Sequence, residues 1–171
     1  CIEDFIKKAK SVDMIYLDSP NNPTGFQFSN KDLEKLIKSF SGPIIIDEAY
    51  GEFSNSSVLN LVKKYSNVIL VKTLSKAFGL AGLRIGYMIA DKKFTEIFSN
   101  VIQYPYPLNT LAIECGILAI EKSKQIISIF EIIKKQRTRI IKNLKKYDAF
   151  DVFDSNANFV LFDAKGADTR V

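Results

Sequence analysis

One lysine, Lys76, stands where an amine could act as a nucleophile. It follows Ser75 and precedes a glycine-containing turn, a setting that can strip part of the water from an ammonium group. A partly desolvated amine forms Schiff bases with carbonyl compounds. Thr73 and Ser75 add hydroxyl groups, and Arg84 adds a guanidinium that suits bidentate binding of a phosphate. Residues 73–84 therefore predict a Schiff-base lysine beside a phosphate site.

A second polar cluster, Asp47 to Tyr50, follows the apolar run Pro43 to Ile46. Asp47 would lie at the end of a buried strand, where a carboxylate without a partner is costly, so it must meet a cation or a hydrogen-bond donor. Because side chains alternate along a strand, Asp47 and Glu48 should point to opposite faces. Only one of them can face a ligand, and a pair of catalytic carboxylates is not expected.

A third polar segment, Asn21 to Gly25, follows the short apolar run Met14 to Leu17. Its two asparagines, its proline and its glycine predict a loop with a specific backbone geometry. Ligands of open parallel sheets bind outside the carboxyl ends of the strands, so the three polar segments should meet at one edge. A Schiff-base lysine, an aspartate for a ring nitrogen, an asparagine and a tyrosine for a ring oxygen, and a phosphate site together match pyridoxal phosphate.

The elements that would position these segments alternate along the chain. Apolar runs predict strands at residues 14–17, 43–46, 67–72 and 84–90. Amphipathic stretches predict helices at residues 29–40 and 57–65. Ser29 and Asp32 form a capping box at the start of the first of these helices. The order predicts an α/β fold with a mostly parallel sheet and helices on both faces. The last strand follows a turn too short for a crossover helix, which favours an antiparallel direction.

After residue 91 the pattern becomes mainly helical. Helices are predicted at residues 92–99, 109–122 and 123–146, and a strand at 158–163. We place a domain boundary near residue 120. Residues 1–120 would form part of a large domain, and residues 121–171 a connecting helix and the start of a small α/β domain. The chain begins on Cys1 and its first strand follows almost at once, so we expect a piece of a longer protein.

Histidine is absent from the sequence. Its absence excludes Ser-His-Asp and Cys-His nucleophile systems and HExxH zinc proteases, and leaves acid and base work to Lys, Tyr, Asp or Glu. Cys1 and Cys115 are too few and too far apart for a metal site or a disulfide framework. No apolar run reaches the roughly 18 residues of a membrane span, and no secretion signal is visible. We therefore expect a cytoplasmic protein without a metal or a membrane partner.

The net charge of +5 arises in one segment, residues 121–146, which holds nine Lys or Arg against two Glu. Apolar residues recur there at spacings of three, four and seven, which predicts an amphipathic helix with a solvated basic face. This interpretation is favoured over a nucleic-acid site, because no RNP-like aromatic string and no zinc finger accompanies the charge. A salt-dependent shift of DNA or RNA would be needed to support the alternative.

Taken together and in this order, three motifs resemble the fold-type I, class II aminotransferases. They are Asn21-Asn22-Pro23-Thr24-Gly25, Asp47-Glu48-Ala49-Tyr50 and the stretch from Thr73 to Tyr87. Two weaker motifs, Tyr106 to Asn109 and Ser155 to Val160, also resemble this family, and Asn158 receives no role. The glycines from Gly79 to Gly86 do not form a dinucleotide fingerprint, because their spacing is wrong and a strand follows them.

The resemblance implies pyridoxal phosphate as the cofactor and a role for each matching residue. Lys76 would be the Schiff-base lysine that also moves the proton during transfer. Asp47 would keep the ring nitrogen protonated. Two side chains would bond the phenolic oxygen, namely Asn22 and Tyr50. Three would bind the phosphate, namely Thr73, Ser75 and Arg84.

The resemblance also implies amino-acid and keto-acid substrates and a homodimer. It is greatest to a branch that exchanges an amino group between glutamate and imidazole-acetol phosphate in histidine biosynthesis. A branch that decarboxylates threonine phosphate stays open, and so does another class II aminotransferase. An interaction module that keeps the fold without the chemistry is a further alternative. The family has further cofactor and substrate residues before and after the part matched here, so we expect this chain to be inactive alone.

Overall fold

A four-stranded sheet with the order β1–β2–β3–β4 lies at the centre of the structure, a computed structural model that describes residues 2–9 and 11–166. Its strands are β1 (Ile15–Asp18), β2 (Ile44–Asp47), β3 (Val68–Thr73) and β4 (Gly86–Ile89). The first three are parallel, and β4 runs antiparallel to β3. The predicted mostly parallel sheet and the antiparallel last strand are confirmed. Cys1 and residues 167–171, which end the predicted second domain, lie outside the described residues.

Six α-helices accompany the strands. They are α1 (Ile2–Ala9), α2 (Asn30–Ser39), α3 (Leu59–Lys64), α4 (Lys92–Ile97), α5 (Thr110–Glu121) and α6 (Ser123–Leu144) among the described residues. The predicted cap of α2 is confirmed, because the Ser29 hydroxyl oxygen accepts the backbone N–H of Asp32 at 3.1 Å. The Asp32 carboxylate in turn accepts the Ser29 hydroxyl at 2.7 Å. The cap satisfies one of the free N–H groups in the first turn and fixes where the helix begins.

The main hydrophobic core lies between one face of the sheet and helices α1, α2 and α3. Ile44 and Ile46, two positions apart on β2, both face this core and are fully buried, as is Leu70 of β3. The opposite face carries Ile45 and Val71, which line an open cavity together with side chains of α4. Strands with apolar residues on both faces read as continuous apolar runs, which is why the sequence shows no alternation there.

A second, two-stranded antiparallel sheet follows α6. It consists of β5 (Phe150–Val152) and β6 (Phe162–Ala164). The strand predicted at residues 158–163 is therefore wrong over 158–161. Just before it, Asn156 bonds to Gly25 in the loop after β1 rather than to β5. The boundary near residue 120 stays a prediction. Within the part of the chain that the structure describes, no helix combines the length and apolar character that a membrane crossing requires.

Candidate functional site

The three polar segments meet at one edge of the sheet, as the sequence predicts. Asp18 and Asp47 are register partners and end β1 and β2. Thr73 ends β3, two residues beyond the partner of Asp47. Backbone hydrogen bonds link the ends of neighbouring strands. The N–H of Ser19 donates to the Asp47 carbonyl, and the N–H of Glu48 donates to the Val71 carbonyl, both at 2.9 Å. The loops that leave these strands are thus fixed side by side.

The loop after β1 is held by its own polar side chains. The Asp18 carboxylate accepts the side-chain amide of Asn21 at 2.8 Å and the backbone N–H of Asn22 at 3.0 Å. The side-chain carbonyl of Asn21 accepts the Thr24 hydroxyl. These bonds direct the Asn22 side chain toward the next loop, where its amide nitrogen lies 3.0 Å from the hydroxyl of Tyr50. Asp18 was not assigned a role from the sequence, although an Asx turn after a strand is a common signal of this kind.

Asp47 finds the donors that the sequence requires of it. Its carboxylate accepts the hydroxyl of Tyr16 at 2.6 Å and the backbone N–H of Ala49 at 2.8 Å. The hydrogen bond to Asp47, followed by burial and the charge of Asp47, raises the pKa of Tyr16 to about 12. Sequence reasoning missed Tyr16. Alternation along β1 could have found it, because Tyr16 lies on the face of the sheet that carries the Asp47 side chain.

Glu48 points to the opposite face, so the prediction that the two carboxylates separate is confirmed. It is fully buried and accepts the Ser57 hydroxyl at 2.8 Å and the N–H of Val58 at 2.6 Å. Lys72 pairs with it at 3.3 Å and with Glu52 at 2.8 Å. We call Glu48, Glu52 and Lys72 the ion cluster. Glu52 belongs to the turn Gly51–Phe53 that follows Tyr50, so its pairing with Lys72 ties that turn to β3.

The ion cluster is closely packed. Burial lowers the pKa of Lys72, but the hydrogen bond to Glu52 and the charges of Glu52 and Glu48 raise it more, so the net direction is upward. Gly51 approaches closely, since a Cβ there would lie 2.9 Å from the Glu48 side chain and 3.3 Å from the Lys72 ammonium. The absence of a side chain at Gly51 therefore lets the turn reach the buried charges.

The segment after β3 carries Lys76, which is exposed. Its ammonium lies 5.4 Å from the ring centroid of Tyr50, within reach of a cation–π attraction. The partial desolvation expected from the sequence is wrong for this chain, because the described residues leave the side chain open to water. The expected neighbourhood is present, since Lys76, Tyr50 and Asn22 lie together.

The predicted phosphate residues are brought together only in part. The hydroxyls of Thr73 and Ser75 lie 2.8 Å apart, and the Thr73 hydroxyl accepts the N–H of Ser75 at 3.1 Å. The exposed Arg84 guanidinium donates instead to the carbonyl of Ala81 at 3.1 Å. Arg84 has a left-handed backbone with φ of 55°, so the strand predicted from residue 84 begins only at Gly86.

A distant segment, residues 155–159, also reaches this edge. The N–H of Asn156 donates to the Gly25 carbonyl at 2.7 Å. The ring of Phe159 packs edge-on against Tyr50, with centroids 5.1 Å apart. The sequence marked this segment as a weak motif but gave Phe159 no role. No local signal could reveal the contact, because it joins residues more than a hundred positions apart.

Gly25 should be intolerant of a side chain. Its φ is +71°, and a Cβ would overlap the side chain of Ser155. We expect Gly25→Ala to lower the free energy of unfolding by about 2 to 4 kcal/mol, from backbone strain and the clash together. Urea unfolding of the chain measures this change.

Gly79→Ala is the matched control, because Gly79 has nearly the same φ, +69°, and its Cβ would meet open space. It should show only the strain, about 1 to 2 kcal/mol. Equal losses in the two variants would contradict the close approach of Ser155 to Gly25.

Comparison with known proteins places the chain in a family. The sequence model described as "Aminotransferase class I and II" matches residues 2–169. The chain belongs to the class I and II aminotransferases. This aminotransferase chain is 35% identical over 169 residues to the histidinol-phosphate aminotransferase of Thermoanaerobacter pseudethanolicus, covering 98% of this chain and 48% of that protein. It thus spans about half the length of the curated relatives it matches.

Two solved structures resemble the fold of this aminotransferase chain. The histidinol-phosphate aminotransferase from Clostridium acetobutylicum has a TM-score of 0.87 and 31% identity, covering 97% of this chain and 52% of that one. The L-threonine-O-3-phosphate decarboxylase from Porphyromonas gingivalis has a TM-score of 0.81 and 26% identity, covering 91% and 49%. The family and the α/β fold expected from the motifs are confirmed, and the roles of single residues stay predictions.

Proposed function

We propose that the complete protein is a pyridoxal-phosphate-dependent aminotransferase that exchanges an amino group between glutamate and imidazole-acetol phosphate. The observation that carries this proposal is the convergence of Asn22, Tyr50 and Lys76 at the end of the strand that delivers Asp47. The names of the relatives support the substrate, since the similar proteins from T. pseudethanolicus and C. acetobutylicum are histidinol-phosphate aminotransferases. The biological role would be in histidine biosynthesis.

The donor set fits this cofactor. The Asn22 amide and the Tyr50 hydroxyl are 3.0 Å apart, so both can donate to one oxygen placed beside them. The Asp47 carboxylate accepts a hydroxyl and a backbone N–H. Because a carboxylate has about four acceptor positions, it can also accept the N–H of a protonated ring nitrogen. The neighbouring hydroxyls of Thr73 and Ser75 suit phosphate oxygens, whereas the Arg84 guanidinium would have to turn from the Ala81 carbonyl to add its charge.

When bound, pyridoxal phosphate supplies an aldehyde for the amine and a ring that accepts electrons. The residues of the chain then have separate tasks. Lys76 provides the amine and carries a proton between the substrate and the ring side of the site. Asp47 holds the proton on the ring nitrogen by its negative charge, and Tyr16 holds the Asp47 carboxylate in orientation. Asn22 and Tyr50 would hydrogen-bond the phenolic oxygen of the ring. We further propose a homodimer, which sedimentation velocity tests.

A decarboxylase is the second candidate. The structural likeness to the L-threonine-O-3-phosphate decarboxylase favours it, because that chain is 26% identical over nearly the same span. The two activities are separated by their products. Formation of 2-oxoglutarate from glutamate supports the aminotransferase, whereas release of carbon dioxide from threonine phosphate supports the decarboxylase.

Reductive labelling tests the cofactor and the lysine together. The complete protein is incubated with pyridoxal phosphate, reduced with borohydride and mapped by peptide mass. We expect a pyridoxyl group confined to Lys76. A protein that stays unlabelled there would show that the likeness is architectural only, and an interaction module would become the better explanation.

Asn22 and Tyr50 should act as one unit in binding the cofactor. Each of Asn22→Ala and Tyr50→Phe should weaken pyridoxal phosphate binding by about tenfold, because each removes one hydrogen bond to a charged oxygen. The double variant should lose less than the product of the two effects, because the side chains also bond each other. Equilibrium titration by absorbance measures the dissociation constants.

Tyr147→Phe serves as the control, since the Tyr147 side chain is exposed and lies outside the site. Its dissociation constant should equal that of the wild type. Strictly multiplicative effects in the Asn22 and Tyr50 variants would mean that the two side chains bind independently.

A further inference from the structure

Arg137 differs from the other basic residues of α6. The sequence predicts a solvated basic face, yet the Arg137 side chain is buried, with 9% of the residue exposed. One guanidinium nitrogen donates to the carbonyl of Phe53 at 2.9 Å and to the carbonyl of Ala157 at 2.7 Å. Desolvation lowers the pKa of Arg137. A buried cation that binds two backbone carbonyls is costly to maintain, so its role calls for an explanation.

The two carbonyls belong to the two sides of the candidate site. Phe53 closes the short turn Gly51–Phe53, which directly follows Tyr50. Ala157 lies in the segment whose ring, Phe159, packs on Tyr50. A single nitrogen of Arg137 therefore bonds α6 both to the turn that follows Tyr50 and to the segment that packs against Tyr50.

A second residue of α6 repeats this link. Phe130 lies seven positions before Arg137, two helical turns away on the same face, and these two are the buried residues of the helix. Its ring packs edge-on against Phe53 and against Phe78, each at 6.0 Å between centroids. Phe78 follows Lys76 by two positions. The face of α6 that carries these residues thus contacts the turn after Tyr50 and the turn after Lys76.

We propose that Arg137 is a positioning residue that sets the orientation of Tyr50. By holding Phe53 and Ala157 at a fixed separation, it keeps the ring of Phe159 against Tyr50 and the Tyr50 hydroxyl beside Asn22. The inference rests on the proposed function only for its effect on cofactor binding. The tie between the loops can be tested without any cofactor.

The first test uses the protein without cofactor. Arg137→Met removes the donor but keeps an apolar side chain of similar length. Hydrogen exchange of the amides in residues 155–159 should become at least about tenfold faster, while the amide of Leu70 in β3 should be unchanged. Arg139→Met is the matched control on the same helix, because Arg139 is exposed. It should leave both sets of amides unchanged.

The second test measures coupling to Tyr50. In the wild-type background, Tyr50→Phe should weaken pyridoxal phosphate binding by about tenfold. In the Arg137→Met background, Tyr50→Phe should weaken pyridoxal phosphate binding by less than about threefold, because Tyr50 is no longer oriented. Arg137→Lys should restore part of the coupling, since an ammonium can also donate to two carbonyls.

The outcomes separate this inference from the proposed function. Unchanged exchange of residues 155–159 together with an undiminished Tyr50→Phe effect would overturn the positioning role. Faster exchange in a protein that binds no pyridoxal phosphate would retain the tie and overturn the proposed function. If Arg137→Met does not fold, Phe159→Leu replaces it. That variant leaves Arg137 in place and should reduce the Tyr50→Phe effect in the same way, and an undiminished effect would again overturn the inference.

Discussion

Replacing Lys76 by alanine should abolish transamination by the complete protein while leaving its fold intact. The amine is the group that our proposal assigns to bond formation and proton movement, and loss of proton transfer alone slows catalysis by up to about 10⁴-fold. The side chain is exposed and meets the Tyr50 ring at its tip, so truncation removes little packing. Turnover of glutamate to 2-oxoglutarate measures the activity, and circular dichroism with urea unfolding checks the fold.

Lys92→Ala provides the control for this experiment. The Lys92 side chain is exposed and pairs only at 3.7 Å with Glu96 one helical turn away, so neither activity nor stability should change measurably. Turnover by Lys76→Ala at a rate near that of wild type would remove Lys76 from the mechanism and with it the main support for the proposed function.

Replacing Lys72 by methionine should produce the largest loss of stability. Methionine fills a similar volume but leaves Glu48, fully buried, and Glu52, mostly buried, facing each other without a cation. One oxygen of Glu52 is already buried without a hydrogen-bond partner among the described residues. Removing one partner of a buried ion pair costs about 3 to 5 kcal/mol, and we expect a loss of that size in urea unfolding at pH 7.

The pH dependence gives this prediction a second test. The pKa of Lys72 is raised in the folded state above its usual 10.5, so its stabilising effect is complete below pH 10.5 and is lost as the pH rises through the folded-state value. The difference between wild type and Lys72→Met should therefore be constant from pH 7 to 9 and narrow above 10.5. Lys63→Met, at an exposed position, should show no loss. A loss below about 1 kcal/mol would mean that the ion cluster is solvated.

Local pattern predicted most of the sheet and the residues at its edge. The apolar runs of β2 and β3, the Ser29 cap and the polar segments after each strand all depend on neighbours in sequence, and these predictions are confirmed. The closeness of Asn22 and Tyr50 also followed, because parallel strands end at the same edge.

The remaining features depend on contacts between distant residues. Residues 158–163 predicted a strand, but Asn156 and Ala157 just before them are bound to Gly25 and to Arg137. The helical spacing of α6 places Arg137 on the apolar face with Phe130, but it does not reveal the carbonyls of Phe53 and Ala157 to which Arg137 donates. Tyr16 marks the intermediate case, since alternation gives its face but not its bond to Asp47.

The antiparallel direction of β4 has a consequence for how this family can vary. Thr73 and Gly86 are register partners. Residues 74–85, which carry Lys76, therefore leave the sheet after Thr73 and return to it at the residue paired with Thr73. The ends of this excursion are anchored by the bond from the Leu74 N–H to the Ile85 carbonyl at 3.1 Å. Near its middle, a side chain added at Gly82 would meet open space. The segment that carries Lys76 can therefore change in length without shifting the register of β3 and β4.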